Sequence, residues 1–408
     1  MDSKTTSVIE GGPSGPLSPY ISHYIAQVTA QGYVPASVRY HLSLLVYFDG
    51  WLARTRRSLE DVDETLIEKF LVPRVRAEWV HVSAPATMRR LLAMLRGLGV
   101  VPSAATAVLT PAQQLTKNYE CFLVEERALS VQTVVAWTPF VGRFLTEKFT
   151  DGPLDLPSLT APDVTGFIQR HARRYGSSYT RKLVASLRSF LRYLRYKGLN
   201  DADLARAVPK VARWSLSTLP KHLPAAQVQR VLDCCDRRTS LGRRNYAILL
   251  LLARLGLRAG EVIRLTLNDL DWENSRITVC GKGGRSAQLP LPADVGRALA
   301  RYLRQDRPQC NSRSVFIRDY APIGGLTKAG SIAKIVFCAL RKAGVASARK
   351  GAHLLRHSLA TDMLRRGASL DEIGEILRHK SPDTTAIYAK VDVGALRSLA
   401  LAWPGGAL

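Results

Sequence analysis

Acidic residues are scarce in this 408-residue chain: 33 Asp and Glu stand against 58 Lys and Arg, a formal net charge of +25. A summed field of that sign attracts polyanions and makes DNA or RNA the favoured partner. A basic metabolic or ribosome-associated protein is the bland alternative. Long apolar runs are missing as well. The longest clean one, residues 246–253, is interrupted at Arg254, well short of the roughly 20 residues a helix needs to cross a bilayer. The N-terminal stretch has no apolar segment of the secretory kind, so no signal peptide is expected. Cysteine is sparse and scattered: of six, only Cys234 and Cys235 are close in sequence, and there is no CxxC pair. No disulfide framework is indicated, which suits reduced thiols in a cytosol.

What is present is a globular composition, 46% hydrophobic with mixed charge. Residues 1–16 are rich in Gly, Pro and Ser and read as a flexible tail. Helical periodicity then dominates to about residue 255. It breaks over 100–111 and again over 208–224, where three prolines and several basic residues mark an interdomain linker. Upstream of that linker the chain repeats itself. Residues 88–98 line up with 180–190, Ser37–Val38 with Thr133–Val134, and 59–67 with 159–167. Residues 17–99 and 112–200 are therefore read as two copies of one small helical module; chance similarity of amphipathic helices is the competing explanation.

In the second copy Leu183, Leu187, Phe190, Leu191 and Leu194 recur at helical spacing and should face a core. Arg181, Arg188, Arg192 and Arg195 fall on one opposite stripe, and between 166 and 215 the only acids are Asp201 and Asp203. A solvated face usually mixes signs. This bias points to phosphate binding.

Past the linker, residues 227–234 and 244–255 look helical, with Gly256 as a C-cap. A strand pair follows, 276–279 and 287–291, joined by the turn 281–285. Ser369 with Glu372 forms a capping box, and Ser381–Pro382–Asp383 is a helix start. Several polar residues here have ordinary explanations when taken singly. Arg258 is a surface Arg beside Glu261, and Lys282 sits at the tip of a Gly-rich turn. His353 and Arg356 share a helical face one turn apart, which is an unusual choice for a core. His379 follows a helix as a cation at its dipole's negative end, and Tyr388 is a packing Tyr.

Their order as a whole is not ordinary. Arg258 in GLRAGEV, Lys282 on the hairpin, His353-x-x-Arg356 in HLLRH, His379 in LRH, and Tyr388 nine residues later resemble the catalytic constellation of the tyrosine recombinase (phage integrase) family at every position. The resemblance covers about 220–400 strongly and 112–205 more weakly. It implies a mainly α protein: helical N-terminal DNA-binding modules, then an α+β catalytic domain with a small antiparallel hairpin or sheet. The implied organisation is a tail to residue 16, an additional module over 17–105, a SAM-like core-binding domain over 112–205, a linker over 206–224, a catalytic domain over 225–400 and a short tail over 401–408. The core-binding domain and the catalytic domain would close on duplex DNA as a clamp.

The resemblance also assigns roles. Tyr388 is the nucleophile that forms a 3′-phosphotyrosine with DNA. Arg258 and Arg356 grip the non-bridging oxygens in a forked geometry that Lys cannot copy. His353 is the acid/base for the phenol proton, Lys282 the general acid for the leaving 5′-oxygen, and His379 a hydrogen-bond donor to the transition state. Glu261 orients Arg258. No metal and no nucleotide cofactor is called for: the charge is supplied by side chains, and the tyrosyl ester conserves the phosphodiester energy. Double-stranded DNA is the partner, with a homotetramer or a hetero-oligomer of related recombinases on paired sites, and the segment 389–401 docking on a neighbouring protomer. The expected setting is a bacterial cytoplasm, on the nucleoid, with the gene in a mobile element. A type IB topoisomerase, or a silent DNA-binding accessory protein, are the alternatives.

Overall fold

The computed structural model describes residues 15–76, 81–103, 109–150, 153–211, 221–281, 284–379 and 381–391. It divides into two compact units, one of residues 104–215 and the other of residues 1–103 with 216–408. The expected tails and the body of the segment 389–401 lie outside the described residues.

In the second of these units the N-terminal part is four helices: α1 (Ser18–Ala30), α2 (Pro35–Arg54), α3 (Glu64–Arg76) and α4 (Ala84–Gly97). They close on a core of their own that includes Tyr24, Leu45, Phe48, Phe70, Met88 and Leu91. Residues 104–215 hold four more, α5 (Pro111–Glu125), α6 (Val131–Lys148), α7 (Ala161–Arg174) and α8 (Ser177–Tyr196), around Tyr119, Val141, Phe144, Phe167 and Leu187. The two sets share several buried positions. Leu45 and Phe48 are buried where Val141 and Phe144 are, and Leu91 and Leu95 where Leu183 and Leu187 are. The apolar stripe of α8 is buried as its spacing predicts.

One buried position departs from the match. Asp49 stands where the second set has Leu145, and its carboxylate accepts from the backbone N–H of Gly15 (3.1 Å) and Leu17 (2.7 Å) and from the Ser18 hydroxyl (2.6 Å). It thereby holds the chain entering α1. The N-terminal part also meets the rest of its unit where the Ile323 N–H donates to the Gln31 carbonyl (2.8 Å). The Ile323 side chain lies over Gly32, whose φ of +80° and lack of a Cβ make that approach possible.

The C-terminal part begins with α9 (Ala225–Asp233) and α10 (Ser240–Arg254). α10 starts earlier than its apolar pattern suggests, because the Thr239 hydroxyl caps the Gly242 N–H. Buried on nearly all sides from Ala247 to Ala253, it is the hub of the core. After the short α11 (Ala259–Arg264) come β1 (Leu270–Asp271), β2 (Arg276–Cys280) and β3 (Ser286–Pro290). The hairpin pairs Ile277 with Leu289 as anticipated, and β1 adds a third antiparallel strand through Leu270 and Ile277. That strand is only two residues long, too short to leave a periodic pattern. α12 (Ala293–Gln305), α13 (Ala329–Lys342), α14 (Ala352–Arg365), α15 (Leu370–Leu377) and α16 (Pro382–Thr385) complete it, followed by a 3-10 turn over Ala386–Val391. The capping box at Ser369 and Glu372 is formed on both sides.

Replacing Asp49 by Ala strands two buried backbone donors. The N-terminal helices should lose about 2–3 kcal/mol of stability, seen as faster amide hydrogen exchange across α1 and α2 with residues 104–215 unaffected. Unchanged exchange in α1 would show that the anchor is immaterial.

Candidate active site

The site is assembled at the ends of three helices. α10 stops at Arg254, and the chain reverses through Gly256 in the left-handed region, φ +57°. A Cβ there would meet the Leu377 side chain at 2.7 Å, so glycine is required by close packing as well as by conformation. The reversal delivers Arg258 to the N-cap of α11. Its backbone N–H donates to Glu261 Oε2 (2.9 Å) and its Nη1 to Oε1 (2.8 Å).

Glu261 is buried to 2% exposure and also accepts from Arg378 Nη2 at 3.1 Å. Burial alone would raise its pKa. The Arg258 N–H and the charges of Arg378 and Arg258 outweigh burial and hold the carboxyl below its ordinary range.

Arg356 projects from α14 and is itself buried. Its two terminal nitrogens donate to the carbonyls of Gly256 and Leu377, tying the end of α10 to the end of α15. Burial, then repulsion from Arg258 and Arg378, pushes its pKa down to about 10. Three guanidiniums thus surround a single carboxylate, and the positive excess makes an anion site.

Tyr388 lies in the 3-10 turn with 1% exposure, packed on Ala360, Ile373 and Leu377. Burial raises its phenol to about 12, opposed by the charges of Arg356 and Arg258. The His379 ring lies nearly parallel to that of Tyr388, at 6.5 Å between centroids and 6° between planes. Its Nδ1 is fixed by the Thr385 hydroxyl at 2.8 Å. Burial first, then Arg356 and Arg258, brings its pKa to about 4, so the ring is neutral near pH 7.

Arg258, Arg356, His379 and Tyr388 therefore converge as the sequence order implies. Two details differ. The imidazole on the Tyr388 hydroxyl is that of His357, with Nδ1 2.7 Å from Oη. His353, to which the phenol proton was assigned, stands one turn earlier at the exposed rim, 6.4 Å from His357 between ring centroids. Desolvation and the charges of Arg356 and Arg258 also hold His353 below the ordinary imidazole value. The physical reason for the difference is helical pitch: a shift of four residues along α14 carries a side chain one turn deeper along the same face. Lys282 lies outside the described residues, although its hairpin is closed beside it by the Gly281 N–H on the Arg285 carbonyl (2.7 Å).

Arg378 was not singled out from sequence. It caps α15 in the left-handed region, φ +55°, where glycine or asparagine is usual. Its Nε is buried without a partner among the described residues. The available signal was an Arg at a helix C-cap next to His379.

In the other unit the basic stripe of α8 is not uniform. Arg181 and Arg192 are exposed. Arg195 pairs with Asp203 at 3.1 Å. Arg188 is half-buried and donates to the carbonyls of Val208 (2.9 Å) and Pro209 (3.1 Å), so it secures the chain leaving the unit.

Glu261→Gln should destabilise the protein by about 2 kcal/mol, since it leaves the largely buried Arg378 and the partly exposed Arg258 without their carboxylate. Adding Arg378→Gly should recover part of that loss, by removing one such cation and the left-handed strain together. The sign with pH follows from the lowered carboxyl: the Glu261 contribution is complete above its unfolded value and disappears as pH falls through the folded one. Denaturant titration of the two single variants and the double would expose strict additivity, the result that rules out the coupling.

Residues 221–394 match the Phage integrase family. The chain is 44% identical, over 97% of its length and 96% of the relative's, to a putative integrase/recombinase y4rA of Sinorhizobium fredii. It is 33% identical to tyrosine recombinase XerD of Listeria innocua, over 68% of this chain and 94% of that one. Among solved structures, XerH site-specific recombinase in its post-cleavage complex with palindromic difH substrate aligns with a TM-score of 0.57. That alignment covers 70% of this chain and 83% of XerH at 20% identity, a likeness of fold.

Proposed function

Because the chain belongs to the phage integrase, or tyrosine recombinase, family, we propose that its site-specific DNA breakage and rejoining is carried out by Tyr388 under the guanidiniums of Arg258 and Arg356. One observation carries this reading: the buried Tyr388 packs with Leu377, whose carbonyl accepts from Arg356, and lies with its ring parallel to that of His379. Tyr388 Oη attacks the scissile phosphorus in line and remains as a 3′-phosphotyrosine, while the 5′-oxygen departs. A guanidinium has five N–H donors. Arg356 commits one on each terminal nitrogen to the carbonyls of Gly256 and Leu377, which leaves three for the non-bridging oxygens. Arg258, fixed by Glu261, offers its free edge.

His379, oriented through Thr385, donates from Nε2 to the developing charge. His353 at the rim meets the incoming phosphate. Lys282 protonates the leaving oxygen. The cations neutralise the transition state in the role that divalent ions play in other nucleases.

Duplex DNA is the substrate, gripped by the unit of residues 104–215 as the core-binding domain through Arg181 and Arg192. The additional N-terminal module, a second copy of that helical plan, supports a longer footprint. Protomers pair on two sites in a synaptic tetramer, either of this chain alone or with related recombinases. A bacterial mobile element is the setting, with the protein on the nucleoid; y4rA, named as an integrase/recombinase, supports it. Among the described residues no helix is long and apolar enough to cross a membrane. The topoisomerase alternative has less support, because the named relatives are recombinases and integrases.

A nicked suicide duplex carrying the element's end sequence should trap a covalent protein–DNA adduct. Tyr388→Phe should abolish the adduct while leaving the dissociation constant unchanged. An adduct that survives this substitution removes Tyr388 from the mechanism. Arg181→Ala with Arg192→Ala should reduce the slope of log affinity against log salt by about 2, close to one counterion per lost contact. An unaltered slope would show that both side chains are merely solvated.

A further inference from the structure

We propose that His357 is a catalytic residue of this chain: its Nδ1 takes the Tyr388 phenol proton as the Oη–phosphorus bond forms, and returns it when the strand is rejoined. The proposal rests on the reading of Tyr388 as nucleophile and deepens it.

The geometry comes first. His357 projects from α14 between Arg356 and Ser358, both buried, on a helix pinned at Ser358 by the Leu223 N–H (2.8 Å). Its Nδ1 lies 2.7 Å from Tyr388 Oη, inside the range a general base requires of the proton it removes. With the ring proton on Nε2, Nδ1 accepts from the hydroxyl. His353 at the exposed rim has no such position.

The charges around the pair determine when the proton moves. At rest the phenol is held near 12 and the imidazole near 4, the latter by burial and then by His353, Arg349, Arg356 and His222. Transfer in the empty site is therefore steeply uphill, and Tyr388 stays a neutral phenol. A phosphate dianion in formation offsets the arginine charges that depress His357. The growing Oη–phosphorus bond makes the phenol oxygen acidic at the same moment. Attack and proton transfer then occur together.

The step balances. The Oη–phosphorus bond forms and the phosphorus–O5′ bond breaks, the Tyr388 proton passes to His357, and O5′ takes a proton from Lys282. Religation reverses each transfer, so a full cycle consumes neither acid nor base.

A purely structural hydrogen bond would hold the resting turn, in which Tyr388 is 1% exposed, and its loss would leave cleavage unchanged or faster. The experiment is single-turnover adduct formation by the full-length protein on the suicide duplex. His357→Asn puts an amide oxygen where Nδ1 was, keeping the acceptor without the capacity to bind a proton. We expect DNA affinity as in the unaltered protein and a rate lower by about 100- to 10,000-fold. The deficit should persist on a 5′-bridging phosphorothiolate, whose thiolate leaves unprotonated, whereas that substrate should rescue Lys282→Ala. His357→Ala should be equally slow and should be accelerated by added imidazole, a second readout if the Asn variant folds poorly. Either variant within threefold of the unaltered rate overturns the proposal. Failure of the unaltered protein to form any adduct would overturn the Tyr388 reading instead.

Discussion

Everything at this site depends on packing like charges together away from water. Arg258, Arg356 and Arg378 meet around one buried carboxylate, and the arrangement holds because Glu261 accepts from two of them while backbone carbonyls at the ends of α10 and α15 accept from the third. Burial first, and repulsion between guanidiniums after it, lowers the pKa of Arg356 and Arg378. The protein tolerates that cost in the absence of DNA. A phosphate bound beside the three guanidiniums would relieve it.

The same electrostatics keep both half-buried imidazoles uncharged. His357 and His379 sit near 4 because burial and neighbouring cations act in one direction. A neutral ring can be donor on one nitrogen and acceptor on the other, which an imidazolium cannot. Thr385 on His379 and Tyr388 on His357 each engage one ring nitrogen, leaving the other for a second partner.

Much of this was legible beforehand. The order of Arg258, Arg356, His379 and Tyr388 could be read only through its resemblance to the tyrosine recombinase constellation, since each residue taken singly has an ordinary explanation. The helix starts at Ser369 and Ser381 were written in capping residues. What could not be read depends on three-dimensional pitch or on partners distant in sequence. Nothing in HLLRH distinguishes the imidazole that reaches the phenol from the one at the rim. Arg378 and Arg188 look like any other arginine until Glu261 and the carbonyls of Val208 and Pro209 are brought beside them. The repeat was legible because it rests on periodicity. Asp49, the polar exception within it, takes its meaning from Gly15 and Leu17, more than thirty residues earlier.

Arg356 reaches back to the carbonyl of Gly256, a hundred positions upstream, and forward to that of Leu377. The residues 104–215, by contrast, close on themselves. During synthesis this unit can therefore close while the helices that complete the Arg356 contacts are still on the ribosome.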